Sequence, residues 1–248
     1  MTLDATIIVC ARNEESYIET CLRSILDQTL KPSVIVFVAD RCDDRTEDLA
    51  RDLLPKGSSV IIEKNRSAWK NSISENLELA RGRARGDAFV IVDADMVVPI
   101  YFLERLLPEL GEYASVSALA KTDPRRGFLN RLVNFWENTY RLAPLGEQPR
   151  GGCRAVSMRA LNEVGGFHDV KAWDTDLDMR LKKAGYRVRL DRDTVVLHRR
   201  RMTLSRSISY QVRAGRARRE LGIGPGRTLL HSLVRLRPFV LYGYLKEG

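Results

Sequence analysis

Short, continuous apolar runs alternate with stretches of helical periodicity along the first half of the chain. Each run suits a strand that is buried on both faces of a parallel sheet. The predicted strands are Thr6–Ala11, Val34–Ala39, Val60–Glu63 and Ala88–Val92. Apolar residues spaced as in a helix predict helices over Ile18–Leu26, Thr46–Leu54 and Ser74–Arg83.

The second half of the chain has a less regular pattern. The sequence predicts helices over Phe102–Leu110, Gly127–Tyr140 and Arg159–Val164, and a further helix that begins at Asp174 and ends at Gly185. Gly151 and Gly152 predict a turn before a short strand, and two more short strands are predicted at Tyr186–Leu190 and Thr194–Leu197. From Arg199 onwards the chain is basic, with a helical pattern.

Strands that alternate with helices in this way predict an α/β fold, with a mostly parallel sheet flanked by helices on both faces. Ligands of such sheets bind beyond the carboxyl ends of the strands. Polar residues stand at three of those ends: Asn13 and Glu14, Asp40, and the pair Asp93 and Asp95. We expect these residues to converge on one edge of the sheet.

Asp93 and Asp95 directly follow a buried strand, with one residue between them. Side chains two residues apart in extended backbone point the same way. Mg²⁺ or Mn²⁺ beside a nucleoside diphosphate takes one or two carboxylates, together with phosphate oxygens and water. A solvated turn is the alternative, but the position at the ligand edge favours a metal site. Asp40 could accept hydrogen bonds from a nucleobase or a ribose there, or it could cap a turn.

Two further acids and a histidine are weaker candidates. Asp174 and Asp176 stand at a helix start, where an acid also caps free N–H groups and complements the helix dipole. His198 ends an apolar strand and could be a third metal ligand, although a lone histidine is more often structural.

The composition is that of a globular protein, with 248 residues, 44% of them hydrophobic. The four cysteines form no C-x-x-C pair, so we expect reduced thiols and a cytoplasmic location. The apolar run from Ile7 to Ala11 is too short for a signal-peptide core or a membrane span.

The net charge of +9 is concentrated at the C-terminus. Residues 199–248 hold twelve Lys or Arg and two acids, whereas the other 198 residues hold 29 basic and 30 acidic side chains. Leucines lie among these basic residues, so the segment predicts an amphipathic extension that contacts an anionic membrane surface. A solvated helix packed on the domain is the alternative. The segment lacks regular aromatic interleaving, which argues against nucleic acid as a partner.

The chain resembles the family two glycosyltransferases of the GT-A fold. The motifs occur in the family's order between residue 6 and about residue 198. They are Ile7–Glu14, Ser24–Thr29, Val38–Thr46, Asp93–Asp95, Gly165–Phe167, Trp173–Leu177 and Ala184–Arg187. The resemblance implies an inverting enzyme that takes a sugar from a UDP- or GDP-linked donor, with Mn²⁺ or Mg²⁺ as cofactor.

The resemblance also implies a role for individual residues. Ala11, Glu14 and Asp40 would line the nucleoside site, and Lys70 would face the diphosphate. Asp93 and Asp95 would contact the ribose and the metal, with His198 where some relatives supply a metal ligand. Asp174 would be the general base. Trp173 stands where the family usually has Glu, and its indole could hold a sugar ring or an isoprenoid.

We therefore expect a GT-A (Rossmann-like) domain with a nucleotide-sugar-binding half at 1–98 and an acceptor-binding half at 99–198, followed by a basic helical extension at 199–248. The acceptor would be a glycan hydroxyl or a polyprenyl or other lipid phosphate, at the inner face of the cell membrane. A nucleotidyltransferase would share the sheet and the acidic pair, but Ala11–Glu15 is not its glycine-rich phosphate loop. A catalytically silent nucleotide-binding module, associated with a membrane or nucleic acid, is the other alternative.

Overall fold

The computed structural model of the protein describes residues 3–139 and 151–246. Strands and helices alternate up to β4, as the hydrophobic pattern predicts. The first elements are β1 (Ala5–Ala11), α1 (Ile18–Leu26), β2 (Val34–Asp40), α2 (Thr46–Leu53), β3 (Ser59–Lys64), α3 (Ser72–Arg81), β4 (Ala88–Val92), β5 (Met96–Val97) and α4 (Phe102–Glu109). The later elements are β6 (Ser115–Thr122), α5 (Phe128–Thr139), β7 (Cys153–Ser157), α6 (Met158–Glu163), α7 (Trp173–Lys183), β8 (Val188–His198), α8 (Leu204–Glu220), α9 (Pro225–Val234) and α10 (Pro238–Leu245).

The strands of the described residues form one eight-stranded sheet in the order β3-β2-β1-β4-β7-β6-β8-β5. Strands β3, β2, β1 and β4 are parallel, and β7 continues the sheet antiparallel to β4. The predicted α/β fold with a mostly parallel sheet flanked by helices is confirmed.

Apolar side chains cover both faces of the parallel strands. Ile7 and Phe37 belong to one buried cluster, and Ile8 and Val36 belong to the cluster on the other face. Side chains of neighbouring strand residues point to opposite faces, so a strand with helices on both sides must be apolar throughout. This explains why these strands read as unbroken apolar runs.

Two features of the sheet differ from the prediction. The two short strands predicted at Tyr186–Leu190 and Thr194–Leu197 are a single strand, β8, which begins at Val188. Polar residues interrupt its apolar pattern, and Asp191 even accepts a hydrogen bond from the Asp193 backbone N–H (3.0 Å). Strand β6 was not predicted, because its buried positions include Ser115 and Ser117, which carry no hydrophobic signal.

The described residues divide into two compact units. A sheet unit contains residues 3–121, 151–169 and 173–199, and a helical unit contains residues 122–139, 170–172 and 200–246. The predicted helix Gly127–Tyr140 corresponds to α5, which begins at Phe128, and Tyr140 lies outside the described residues.

Within the helical unit, α8 and α10 pack with their backbones in close contact. A Cβ placed on Gly215 would lie 2.8 Å from the carbonyl carbon of Gly243, and one on Gly243 would lie 2.7 Å from Val212 Cα. Both distances are below a normal carbon contact, so only glycine fits at this crossing. The basic C-terminal segment is therefore a packed helical structure.

Candidate active site

Three carboxyl ends of parallel strands lie side by side, and each carries an acid that the sequence singled out. Strand β1 lies between β2 and β4. Asp40 is the last residue of β2, Asp93 directly follows β4, and Glu14 lies in the loop after β1. Cys21 lies buried beneath this edge, and burial raises the pKa of its thiol, as do the negative charges of Asp95, Asp93 and Glu14. The structure therefore brings the predicted residues at this edge together.

The loops after β1 and β2 hold each other in place. Asn13 and Arg41 both have positive φ, 55° and 52°, a region that few non-glycine residues adopt. The Asn13 side-chain oxygen accepts a hydrogen bond from the Asp43 backbone N–H (3.0 Å), and the Thr46 hydroxyl accepts one from the Glu14 N–H (2.6 Å). Ala11 is buried at the end of β1, and its carbonyl oxygen accepts a hydrogen bond from the Cys42 thiol (3.5 Å).

Asp40 is a buried carboxylate that is held in its charged form. It accepts hydrogen bonds from Arg41 Nε (2.7 Å), from Asn76 Nδ2 (3.0 Å) and from the Ser72 hydroxyl, and Lys64 Nζ lies 3.7 Å away. Burial alone would raise the pKa of Asp40, but the hydrogen bonds from Arg41, Ser72 and Asn76 and the charge of Lys64 lower it to about 2. An ionised acceptor at this position can receive a hydrogen bond from a nucleobase N–H.

Lys64, which sequence reasoning missed, joins the buried polar side chains next to Asp40. Its buried ammonium contacts Asn76 Oδ1 (2.6 Å), Glu75 Oε2 (2.7 Å) and Ser72 Oγ (2.8 Å). Burial would raise the pKa of Glu75, but its bonds to Lys64 and to neighbouring donors lower it to about 2. A lysine directly after a predicted buried strand was the only signal that could have revealed this role.

Lys70, in contrast, is exposed. Its backbone N–H donates to Asp169 Oδ2 (2.9 Å), and the adjacent Asn71 N–H donates to the other oxygen of that carboxylate (2.7 Å). The loop before α3 is therefore tied down at its backbone, and a contact between the Lys70 ammonium and a diphosphate stays a prediction.

Asp95 and His198 lie together at the turn after β4. His198 Nε2 is 3.0 Å from Asp95 Oδ2, because strand β5 pairs with β8 in a register that places Met96 opposite His198. Asp93 is half-buried on the same turn, and its carbonyl accepts the Met96 N–H (2.9 Å). Over residues 3–139 and 151–246, no group of three His, Cys, Asp or Glu side chains is assembled that could hold a metal ion alone.

The donor set nonetheless fits a hard divalent ion that binds with its substrate. Mg²⁺ bound to nucleotides usually takes one or two protein carboxylates, and phosphate oxygens and water complete its coordination. Asp95, His198 and Asp93 provide oxygen and imidazole donors of the types that Mn²⁺ accepts. A complete protein cage is not required for this kind of site.

Gly151 and Gly152 lie between Asp93, at the end of β4, and Asp174, at the start of α7. A Cβ on Gly152 would overlap the carboxylate of Asp93 and lie 3.1 Å from Met96 Cε. A Cβ on Gly151 would overlap the Trp173 ring and lie 3.1 Å from Asp174 Cβ. Asp93 and Asp174, which are 81 positions apart in the sequence, are therefore neighbours across two glycine residues.

Asp174 lies in the first turn of α7, where its carboxylate accepts the Thr175 N–H (2.8 Å). The buried Arg154 of β7 anchors this turn, because it donates to the Asp174 carbonyl (3.4 Å) and forms an ion pair with Asp178. Burial raises the pKa of Asp178, which Arg154 opposes. Arg154 is completely buried, and a lone arginine in a predicted strand gave no sign of this role.

The sheet, with its acids at the carboxyl edge, is that of a GT-A glycosyltransferase. Residues 6–163 match the family model described as glycosyl transferase family 2. The chain belongs to this family, and it has the GT-A fold.

Two curated relatives illustrate the relationship. A beta-monoglucosyldiacylglycerol synthase of Synechocystis is 24% identical over 71% of this chain and 39% of its own length. A succinoglycan biosynthesis protein of Rhizobium meliloti is 26% identical over 73% of this chain and 59% of its own length. The chain thus spans less than two thirds of the length of each of these relatives.

Solved structures resemble the chain over most of its length. A mannosyltransferase of Pyrobaculum calidifontis, in complex with GDP-Man and Mn²⁺, superposes with a TM-score of 0.69 at 22% identity and covers 99% of this chain and 70% of its own. Glucosyl-3-phosphoglycerate synthase of Mycobacterium tuberculosis, in complex with Mn²⁺, UDP and phosphoglyceric acid, has a TM-score of 0.61 at 18% identity and covers 86% and 76%. At these identities the likeness concerns the fold.

Proposed function

We propose that the protein is an inverting, metal-assisted glycosyltransferase that uses a nucleoside-diphosphate sugar. This proposal rests on one observation: Asp93 packs against Gly152 and Asp174 packs against the adjacent Gly151. Direct displacement needs the leaving diphosphate on one side of the anomeric carbon and the acceptor with its base on the other. Two acids that contact neighbouring glycines would meet this need.

The donor would lie along the carboxyl edge of the parallel strands. Ala11, Glu14 and Asp40 would line the nucleoside, with the charged Asp40 accepting from the base. Lys70 would reach the diphosphate. Asp93 would contact the ribose and share the metal with Asp95 and His198. Mn²⁺ or Mg²⁺, when bound, would neutralise the negative charge of the departing diphosphate.

Asp174 would act on the acceptor. As a hydroxyl oxygen attacks the anomeric carbon, the bond to the diphosphate breaks and the Asp174 carboxylate takes the hydroxyl proton. One displacement inverts the configuration. If the acceptor is instead a lipid phosphate, its oxygen is already ionised near neutral pH, and the enzyme depends less on Asp174.

Solved neighbours support the donor class. One holds GDP-Man and another holds UDP, each with Mn²⁺. They support a UDP- or GDP-linked sugar and a divalent ion for this chain. The Synechocystis relative is named for a glucosylated diacylglycerol, which supports a lipid acceptor beside the glycan alternative.

We also propose that the basic extension at 199–248 contacts the inner face of the membrane and that the catalytic halves 1–98 and 99–198 are cytoplasmic. Within the helical unit, Phe128, Leu132 and Phe135 are exposed along one face of α5, and leucines are exposed on α9. Basic side chains next to exposed apolar ones suit an anionic interface. No helix among residues 3–139 and 151–246 combines the length and the apolarity that a membrane span needs.

A thermal-shift panel of UDP- and GDP-linked sugars, with and without Mn²⁺, tests the donor site. We expect one base to stabilise the protein, and more so with Mn²⁺, since ligand that binds only the folded state raises the unfolding temperature. The variant Asp95→Asn should lose the Mn²⁺-dependent part, whereas Asp48→Asn, an exposed acid on α2, should keep it.

The anomeric configuration of the product, read by NMR, then tests inversion. A retained configuration would overturn the single-displacement mechanism. Nucleotide binding without any sugar transfer or hydrolysis would favour the catalytically silent module.

A further inference from the structure

The two oxygens of the Asp40 carboxylate differ in how many hydrogen-bond donors they face. Oδ1 accepts from Arg41 Nε (2.7 Å), and Lys64 Nζ is 3.7 Å away, beyond hydrogen-bond distance. Oδ2 accepts from the Ser72 hydroxyl and from Asn76 Nδ2 (3.0 Å), with Arg41 Nη2 at 3.3 Å. A carboxylate oxygen has about two lone-pair positions. The protein therefore occupies Oδ2 completely, whereas Oδ1 keeps one position for a ligand.

Lys64 fixes the orientation of the two side chains that bind Oδ2. Its ammonium, which can only donate, contacts Ser72 Oγ (2.8 Å) and Asn76 Oδ1 (2.6 Å). Ser72 Oγ accepts from Arg41 Nη2 as well (2.9 Å), so its single hydrogen is left for Asp40. The Asn76 amide oxygen faces Lys64, so its NH₂ group faces Asp40. Turning either side chain would place a donor against the ammonium, so both remain donors to Oδ2.

Helix α3 supplies both of these donors. Ser72 is its first residue and Asn76 lies one helical turn further. The helix start is capped, because the Asn71 side chain accepts the Ile73 N–H (3.3 Å). Asn76 and Asp40 are 3% and 4% exposed. The contacts at Oδ2 therefore belong to the packed interior, and the acceptor capacity left to a ligand is on Oδ1.

Arg41 adds donors beside that remaining position. Its backbone is fixed, because its N–H donates to the Lys64 carbonyl (2.8 Å). Its Nη1 has no acceptor among the described residues, and the side chain is 30% exposed. Asp40 and Arg41 together thus offer a ligand one acceptor with donors next to it.

The bases of the two proposed donors need different partners. Uracil has a single N3–H between two carbonyl oxygens, so one acceptor with a donor beside it matches its edge. Guanine has N1–H and the N2 amino group side by side, and these need two neighbouring acceptors. With Asp40 Oδ2 occupied, the second guanine donor would lose its water without gaining a partner. Such an unpaired donor weakens binding strongly.

We propose that Ser72, Asn76 and Arg41 determine the base of the donor, and that they select uracil over guanine by leaving Asp40 one free acceptor position. The inference rests on the proposed nucleoside-diphosphate donor and narrows it from UDP or GDP to UDP. The selection depends on which lone pairs of the carboxylate are occupied, since an open carboxylate in the same place could pair with either base.

Isothermal titration of the full chain with nucleoside diphosphates and Mn²⁺ tests the selection. We expect UDP to bind at least about tenfold more tightly than GDP, since one unpaired donor is worth about that factor. The analogue 3-methyluridine diphosphate lacks the N3–H and should bind at least about tenfold more weakly than UDP.

Inosine diphosphate gives the sharpest comparison, because its base is guanine without the N2 amino group. It should bind at least about tenfold more tightly than GDP, since it lacks the donor that finds no acceptor. A carboxylate that is open at both oxygens would give the opposite order. The comparison uses one protein and two purines of nearly equal size, so it does not depend on the folding of any variant.

A pair of serine variants tests the residues themselves. Ser72→Ala removes one donor from Oδ2, and a ligand can displace the long Arg41 Nη2 contact that remains there. The preference for inosine diphosphate over GDP should therefore fall at least about threefold. Ser59→Ala is the matched control, because the Ser59 hydroxyl donates to the Pro55 carbonyl (2.7 Å) at the opposite end of β3. It should keep the full preference.

The outcomes separate this inference from the donor proposal on which it rests. GDP that binds as tightly as UDP or inosine diphosphate would overturn the selection of uracil and leave a nucleotide-dependent enzyme intact. An unchanged preference in Ser72→Ala would likewise overturn the role of the occupied oxygen. If no nucleoside diphosphate binds, the donor proposal is wrong and the base selection falls with it.

Discussion

The sheet unit and the helical unit differ in which side chains they bury and which they expose. In the sheet unit, apolar side chains fill the two faces of the sheet, and the charged groups near the candidate site are paired, as in Arg154 with Asp178 and Lys64 with Glu75. In the helical unit, Leu233 and Leu236 are largely exposed, while Arg235 is buried. The sheet unit thus pairs buried charges beneath the candidate site, whereas the helical unit leaves large apolar side chains exposed.

This difference indicates where each unit obtains its stability and specificity. Internal packing and pairing determine the geometry of the sheet unit, so its site is preorganised for a small ligand. The exposed apolar side chains of the helical unit, among basic residues, are the features on which the proposed membrane contact rests. Substitutions of similar chemistry should therefore have unequal effects in the two units.

The largest expected effect concerns Asp174 in the sheet unit. Asp174→Ala should lower kcat on a hydroxyl acceptor by about 10²–10⁴-fold, the usual contribution of a positioned general base. Nucleotide affinity should stay nearly unchanged, because the role proposed for Asp174 is to act on the acceptor. Steady-state kinetics and nucleotide titration measure both quantities, with Asp48→Ala as the control. Wild-type turnover of the Asp174 variant on a hydroxyl acceptor would contradict its role as base.

Removal of a buried charge sharpens the contrast between the units. Arg154→Met leaves the Asp178 carboxylate buried without its cation, and we expect a loss of about 3–5 kcal/mol in the free energy of unfolding. The double variant Arg154→Met with Asp178→Leu should recover most of this loss. Arg213→Met in the helical unit should change stability by less than about 0.5 kcal/mol. Urea denaturation measures all three, and equal losses at Arg154 and Arg213 would break the comparison.

Low pH should lower the free energy of unfolding of the protein through protonation of Asp40. The folded-state pKa of Asp40 is lowered to about 2, below its usual value, so its stabilising contribution is complete above about pH 4 and is lost as the pH falls through 2. The pH-dependent part amounts to about 2 kcal/mol. The stability difference between wild type and Asp40→Asn, from urea denaturation, should narrow by this amount from pH 6 to pH 2. A constant difference would contradict the pairing of a charged Asp40.

The smallest expected effect tests the helical unit. The protein should sediment with anionic vesicles at low salt, and affinity should fall at least about tenfold as salt shortens the Debye length from about 30 Å to about 8 Å. Vesicles without anionic lipid are the control. If the protein does not bind anionic vesicles even at low salt, the membrane-facing role of the extension is wrong.

The fold could be predicted from the sequence where apolar side chains occupy both faces of a strand. The four apolar runs of the parallel strands gave β1 to β4 nearly to the residue, because burial on both faces leaves no room for polar residues. Strand β6 escaped prediction, since Ser115 and Ser117 are buried in it. Their burial depends on neighbours that only the folded chain provides.

The candidate site was accessible only in part for a related reason. Glu14, Asp40 and Asp93 could be placed because each follows a recognisable strand. Lys64 and Arg154 act through partners that are distant in sequence or lie on another element, such as Asp178 for Arg154. No local sequence pattern predicts such pairs. The burial of Arg235 and the exposure of Leu233 likewise depend on neighbouring helices and could not be predicted from the sequence.

The Gly151–Gly152 turn has a consequence for how this site can vary. Each missing side chain leaves room for an acid or an indole that arrives from elsewhere, so the backbone alone fixes how far apart Asp93 and Asp174 stand. A single added methyl group at residue 152 would displace the Asp93 carboxylate. In the proposed mechanism, the space available to a sugar between Asp93 and Asp174 would therefore depend on two residues that carry no functional group.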